Sequence, residues 1–244
     1  MLRSGIVMLA AIVVGGCATG VPQAPYPSTD GGRYFVAREA AQDEEPQSLF
    51  PSDLAVLSDS AIRRILGYRL TIEEVDKIAI MQLGGRWGYR WWTDATARMN
   101  EFVTGRLVAV LDSSPRIRDA AILPTLMVPR ERSMPYLREA ATRFQAGLLF
   151  VFRPDCETFQ RARFLAADEV RATCTVEAVL LDVRTGIVPF SQLATQEYVA
   201  RKTGDDANFQ ETIVRAELQA ITDGLEEVAK AAIAFLSTVP VTTR

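Results

Sequence analysis

Leu148-Leu149-Phe150-Val151-Phe152 is five consecutive apolar residues with no polar position among them. A strand with one face in water alternates apolar and polar, so an unbroken run reads as a strand covered on both faces, inside a sheet. Toward the C-terminus, residues 170–182 and 187–199 are long β-prone runs joined by Val183-Arg184-Thr185-Gly186, an antiparallel hairpin with glycine closing the turn. Toward the N-terminus, residues 77–83 read as a strand stopped by Gly84-Gly85. Residues 120–128 read as another, apolar on both faces apart from Pro124 and Thr125, and are expected inside the sheet with a kink or bulge at the proline.

Helical patterns separate these strands. Thr93 caps one carrying Met99, Phe102, Val103, Leu107 and Val110 and ending at Asp112; Pro135 suits the first turn of another with Leu137, Ala140, Ala141 and Phe144. Ahead of them, Leu54, Leu57, Ile62 and Ile65 stand at helical spacing after a Ser52 cap, and Gly67 ends that helix. Asn208 with Glu211 has capping-box spacing and opens a last helix, in which Phe209, Ile213, Ala216, Ala220, Leu225, Val228, Ala232 and Phe235 share one side over about eight turns. The order predicts an α/β fold: a single mixed β-sheet with β-α-β-α-β units followed by antiparallel strands and a long C-terminal helix.

The start of the chain carries a different signal. Arg3, an apolar core over residues 5–14 and small residues thereafter form an export signal. As a helix the core spans only about 15 Å, too short to cross a bilayer. It leads into Val14-Gly15-Gly16-Cys17, which resembles the lipobox of bacterial lipoproteins, with Val14 and Gly15 where Leu and Ala or Ser are commonest. The resemblance implies that Cys17 is acylated and becomes the first residue after cleavage. Ala18, where an aspartate would retain the protein at the inner membrane, implies outer-membrane anchorage facing the periplasm. The expected division is 1–16 signal peptide, 17–48 lipidated flexible tether and 49–240 periplasmic α/β domain. Pro22, Pro25 and Pro27 and the patch Asp43-Glu44-Glu45-Pro46 give the tether little to bury, and its root-mean-square reach is about 30 Å. Alternatively, Tyr34-Phe35-Val36 forms a strand docked on the domain.

With 244 residues, 48% of them hydrophobic, the chain can bury a sizeable core. The net charge of -3 gives no electrostatic reason to expect nucleic acid as a partner. There is no histidine, which removes the usual general base and the commonest zinc ligand together, and no metal or cofactor is expected. Beside Cys17 the remaining cysteines are Cys156 and Cys174, an even pair in an oxidising compartment. If the strand from Leu148 pairs antiparallel with that from Val170, the two fall opposite each other and a disulfide is natural. The alternative is a reactive Cys156 thiol activated by Arg153, with no histidine to assist it.

All three tryptophans lie in Gly84-Gly85-Arg86-Trp87-Gly88-Tyr89-Arg90-Trp91-Trp92, after the first strand of the β-α units. Arg86, Trp87, Tyr89, Arg90, Trp91 and Trp92 are the candidate binding residues, since loops at strand C-termini of α/β sheets bind and Trp, Tyr and Arg dominate interface hot spots. Equally, Trp91 and Trp92 could fold back over the sheet edge. Gly84-Gly85 is no phosphate cradle, as no Gly-Lys-Ser/Thr follows.

The element order, with Glu177-Ala178-Val179-Leu180-Leu181-Asp182-Val183-Arg184-Thr185-Gly186-Ile187, resembles periplasmic lipoproteins of the CsgG, LpoB and TolB N-terminal kind, and also rhombotarget-type lipoproteins. The first group ends a strand in an apolar-Asp-x-x-Thr-Gly hairpin after two β-α units. The resemblance implies a non-enzymatic module that binds other envelope proteins or assembles with copies of itself; the sequence itself identifies no small-molecule substrate. The enzymatic alternative, an envelope glycan hydrolase, would draw on Glu73, Glu74, Glu157 and Glu177 and needs two carboxyls about 5–9 Å apart.

Overall fold

The structure is a computed structural model and describes residues 35–36, 48–50, 57–72, 76–83, 94–161, 168–206 and 208–242. The described elements in chain order are β1 (Phe35–Val36), α1 (Asp59–Gly67), β2 (Asp76–Gln82), α2 (Asp94–Asp112), β3 (Ile117–Ile122), α3 (Met134–Arg143), β4 (Leu148–Arg161), β5 (Glu169–Asp182), β6 (Phe190–Arg201) and α4 (Phe209–Thr238). They form the single mixed α/β sheet expected, in the order β3-β2-β4-β5-β6. β2 is parallel to β3 and β4, and β4, β5 and β6 run antiparallel.

The two crossovers run in opposite directions, from β2 out to β3 and from β3 back past β2 to β4. A single crossover hand then requires their helices on opposite faces. Val103, Leu107 and Leu111 of α2 share a core with α4, whereas Met134, Leu137, Ala140 and Ala141 of α3 build a second core behind the sheet. Leu148, Phe150 and Phe152 point into the first core and Leu149 and Val151 into the second, which is why this run has no polar residue.

β4 continues well past Phe152, to Arg161, and only one of its faces stays covered. Asp155 and Glu157 point to solvent while Pro154 and Thr158 are buried. Pro154 does not break the strand, for a reason of direction. Gly147 O accepts from Val183 N at 3.0 Å, so odd-numbered residues of β4 bond to β5 and even-numbered ones point their backbone toward β2. β2 pairs as far as Phe152, whose carbonyl takes Leu83 N at 2.8 Å, so the missing N–H of Pro154 faces a side where β2 has ended. Farther out on that side β1 pairs with Phe159 and Gln160, the docked-strand alternative for residues 34–36.

Three expectations need correction. Residues 120–128 are not an interior strand: β3 runs Ile117–Ile122 at the sheet edge with β2 as its neighbour, and a 3₁₀ turn at Thr125–Met127 follows Pro124, leaving Leu126 99% exposed. The apolar content there is split, Ala120 entering one core and Leu123 the other. α1 is capped by Ser58, whose Oγ accepts from Ala61 N at 3.3 Å, rather than by Ser52; no residue of α1 is buried, and residues 51–56 lie outside the described part. On α2 the buried stripe is Val103, Leu107 and Leu111, four residues apart. Phe102, one step round the helix, is exposed with the Arg106 guanidinium 5.9 Å from its ring centre.

α4 has 30 residues, about 45 Å, matching the length of the β4–β5 hairpin it covers. Asn208 caps it by accepting Glu211 N at 3.1 Å, as its sequence spacing predicts. Gly224 lets it approach the sheet, since a Cβ there would sit 2.9 Å from Val176 Cγ2. Its first turns are held by Asp206, which is buried and accepts from Thr203 N (2.7 Å), Thr212 Oγ1 (3.1 Å) and both terminal nitrogens of Arg215 (2.6 and 3.0 Å). Burial pushes this carboxyl up, but the hydrogen bonds from Thr203, Arg215 and Thr212 outweigh it and hold the group below the usual aspartate range. Among the described residues no helix is long and apolar enough to cross a membrane.

Candidate functional site

Asp182, the acid of the Asp-x-x-Thr-Gly stretch, ends β5 as a buried carboxylate that accepts three hydrogen bonds. Tyr68, just after α1, donates its hydroxyl to Oδ2 at 2.7 Å, Thr185 Oγ1 donates to the same oxygen, and Arg184 N reaches Oδ1 at 3.2 Å. The turn closes through Gly186 N to Asp182 O at 2.8 Å, and Gly186 has φ 77°, a conformation L side chains rarely adopt. From α3, Arg138 donates to Val183 O (2.8 Å) and Arg184 O (2.6 Å). Burial raises the Tyr68 phenol to about 12, helped by its hydrogen bond to the Asp182 carboxylate and by that group's charge. A phenol so held keeps its proton at neutral pH. The cluster is a mechanical tie joining the residue after α1, the hairpin and α3, and the sequence motif marks its turn; nothing local in the sequence marks Tyr68 or Arg138.

The second constellation is the cysteine pair. Cys156 and Cys174 are register partners on β4 and β5, with Cα atoms 4.1 Å apart and their sulfurs bonded. Since odd residues of β4 make the bonds to β5, this even pair is a non-hydrogen-bonded one, where facing side chains come closest. Cys174 is fully buried under α4, its Sγ 3.7 Å from Glu217 O. Cys156 is therefore a bridge residue in this fold, not a thiol beside Arg153.

Of the other sequence candidates, Cys17, Arg86, Trp87, Tyr89, Arg90, Trp91 and Trp92 lie outside the described residues, as do Glu73 and Glu74. Glu157 and Glu177 are both exposed on the open face of the hairpin. Glu177 pairs with Arg153 in register, and Glu157 stands four residues farther along β4, about 13 Å away. That exceeds the separation either glycosidase geometry uses. Among the described residues no cluster of His, Cys, Asp and Glu could hold a metal ion. A cavity of about 310 Å³ opens where β2 ends, with Leu49, Leu83 and Val151 as apolar wall and Arg153 and Glu177 at its polar side. It adjoins Leu83, the last described residue before Gly84-Gly85.

No family model matches the sequence, and no curated protein matches it. Solved structures do show likenesses. A Xanthomonas campestris protein of the DUF330 family is similar with a TM-score of 0.38 at 13% identity, over 69% of this chain and 93% of that one. The PelC dodecamer of Paraburkholderia phytofirmans is similar with a TM-score of 0.32 at 16% identity, over 72% and 94%. A minor lipoprotein of Acinetobacter baumannii is similar with a TM-score of 0.33 at 12% identity, over 68% and 98%.

Proposed function

We propose that this chain is a lipid-anchored protein of the bacterial envelope whose α/β domain works by binding other envelope proteins, not by catalysis. The observation that carries the reading is the Cys156–Cys174 bond in cross-strand register, chemistry that persists in an oxidising compartment. It agrees with the export signal and with the lipobox-like Val14-Gly15-Gly16-Cys17. The proposed layout keeps 1–16 as signal, 17–48 as tether and 49–240 as domain, with the tether tied once to the sheet through Phe35–Val36. The likeness to the CsgG, LpoB and TolB N-terminal modules belongs to this proposal, as do the outer membrane as address and Arg86–Trp92 as contact surface.

Self-assembly is the second reading, favoured by β6, a 12-residue strand at the sheet edge with β5 as its one neighbour among the described strands. Such an edge is a template for another chain. The test of the main reading is fractionation. Cys17→Ser should move the protein out of the membrane pellet, and a mutant that stays there defeats the anchor. Size analysis of the same protein then separates hetero-binding from self-assembly.

A further inference from the structure

Among the described α-helices, α1 is the one whose apolar side chains enter neither core. α1 carries Ile62, Ile65 and Leu66 at 41%, 37% and 72% exposure, with Leu57 just ahead of it at 54%. A helix turns 100° per residue, so Ala61, Ile65, Ile62 and Leu66 fill one continuous arc of about 140°. Arg64 and Arg63 fall on either side of it, each about 60° beyond its last apolar residue. Neither arginine has a hydrogen-bond or ion-pair partner among the described residues. Arg69 follows with its guanidinium over the helix end, donating to Leu66 O and Tyr68 O, and Asp59 is the one acid of α1. The helix is held from its C-terminal end by Tyr68 on Asp182 and by buried Leu70, and its apolar arc enters neither core, with Leu66 the most exposed of its side chains.

We infer that α1 is a membrane-docking helix that lies in the headgroup region of an anionic phospholipid surface. Aliphatic residues between two flanking cations are what that interface takes: the side chains enter the acyl boundary while long arginine stems carry their charge to lipid phosphates. A protein partner would need acids placed opposite Arg63, Arg64 and Arg69, whereas a lipid surface supplies negative charge at every position. The inference rests on the proposed lipid anchor, which keeps the domain beside a bilayer. A tethered domain samples that surface at high effective concentration, so a short helix is sufficient to dock it. Docking would fix the orientation of the domain, whose β4–β5–β6 face would otherwise turn freely at the end of its tether.

The test uses the mature full-length lipoprotein carrying Leu66→Cys labelled with an environment-sensitive fluorophore, reconstituted in vesicles of phosphatidylcholine alone or mixed with phosphatidylglycerol. Co-flotation with phosphatidylcholine vesicles reports the Cys17 anchor alone, and its absence would count against that anchor whatever α1 does. With the anchor in place, the label should shift to the blue and lose iodide quenching in phosphatidylglycerol vesicles and not in pure phosphatidylcholine. Arg63→Gln with Arg64→Gln should weaken docking about 30-fold, at about 1 kcal/mol for each cation. A label on Glu197→Cys, on the open sheet face, should stay quenched throughout. A Leu66 label that stays quenched in the anionic vesicles overturns the inference. So does one already protected without vesicles, because the chain itself would then cover the arc.

Discussion

Pro154 and Cys156 sit two residues apart on β4, and each acts through the direction in which its position points. The proline turns its missing donor to the side where β2 has ended, and the cysteine uses the closest approach between two strands. Cross-linking residues 18 apart should contribute about 3 kcal/mol in the chain-entropy model. Paired Cys156→Ser and Cys174→Ser should therefore lower Tm by about 6–12 °C, read by thermal melts with and without reductant. An unchanged melt would mean that the bond constrains nothing. Tyr68 gives a pH signature. Its folded pKa, about 12, lies above the ordinary tyrosine value, so its contribution is complete below about pH 10 and is lost as pH rises through 12. Tyr68→Phe should cost about 1–2 kcal/mol at neutral pH and flatten that alkaline loss, measured by denaturant unfolding across pH. The cysteine pairing was legible because residue symmetry about 165 needs only the hairpin; Tyr68 was not, since its partner lies 114 positions away.

At the scale of elements, the sequence signals that succeeded were those where burial dictates composition. The run at 148–152 is apolar because helices cover both faces, and the Asn208–Glu211 spacing announces α4 because capping is local. The signal that misled was an apolar run without a common face: the residues of 120–128 serve two cores and a turn, whereas those of α1 do share a face but enter neither core. Two predictions belong here. Gly224→Leu would drive a side chain into Val176 and should cost about 1–3 kcal/mol, read from urea denaturation. Asp206→Asn removes a charged acceptor from the start of α4 and should cost about 2–3 kcal/mol at neutral pH. Because the Asp206 pKa lies below its unfolded value, its contribution is present above about pH 4 and lost as pH falls through the lowered folded value. Asp206→Asn should accordingly show a shallower loss of stability in acid.

Across the whole molecule, the polar constellations described are ties: Asp182 fastens the hairpin turn to the residue after α1, Arg138 fastens that turn to α3, and Asp206 with Arg215 fastens the end of β6 to α4. What they hold up is a sheet with one face closed by α2 and α4 and the other closed by α3 at one end; among the described residues no helix covers the outer part of β4, β5 and β6 on that second face. A body of this kind offers surfaces: a recess where β2 ends, a long edge on β6 and an apolar arc on α1. For function the sequence offers a proposal of place alone, because the pattern at residues 3–17 that resembles an export signal and a lipobox is local. A binding surface is assembled from residues far apart in the chain. The central claim is that Cys17 carries lipid and holds this domain at a membrane. Mass spectrometry of the N-terminal peptide from protein purified from its own cells tests that most directly. A first residue Cys17 bearing diacylglyceryl and acyl groups is predicted; an N-terminus elsewhere, or an unmodified Cys17, would contradict the account.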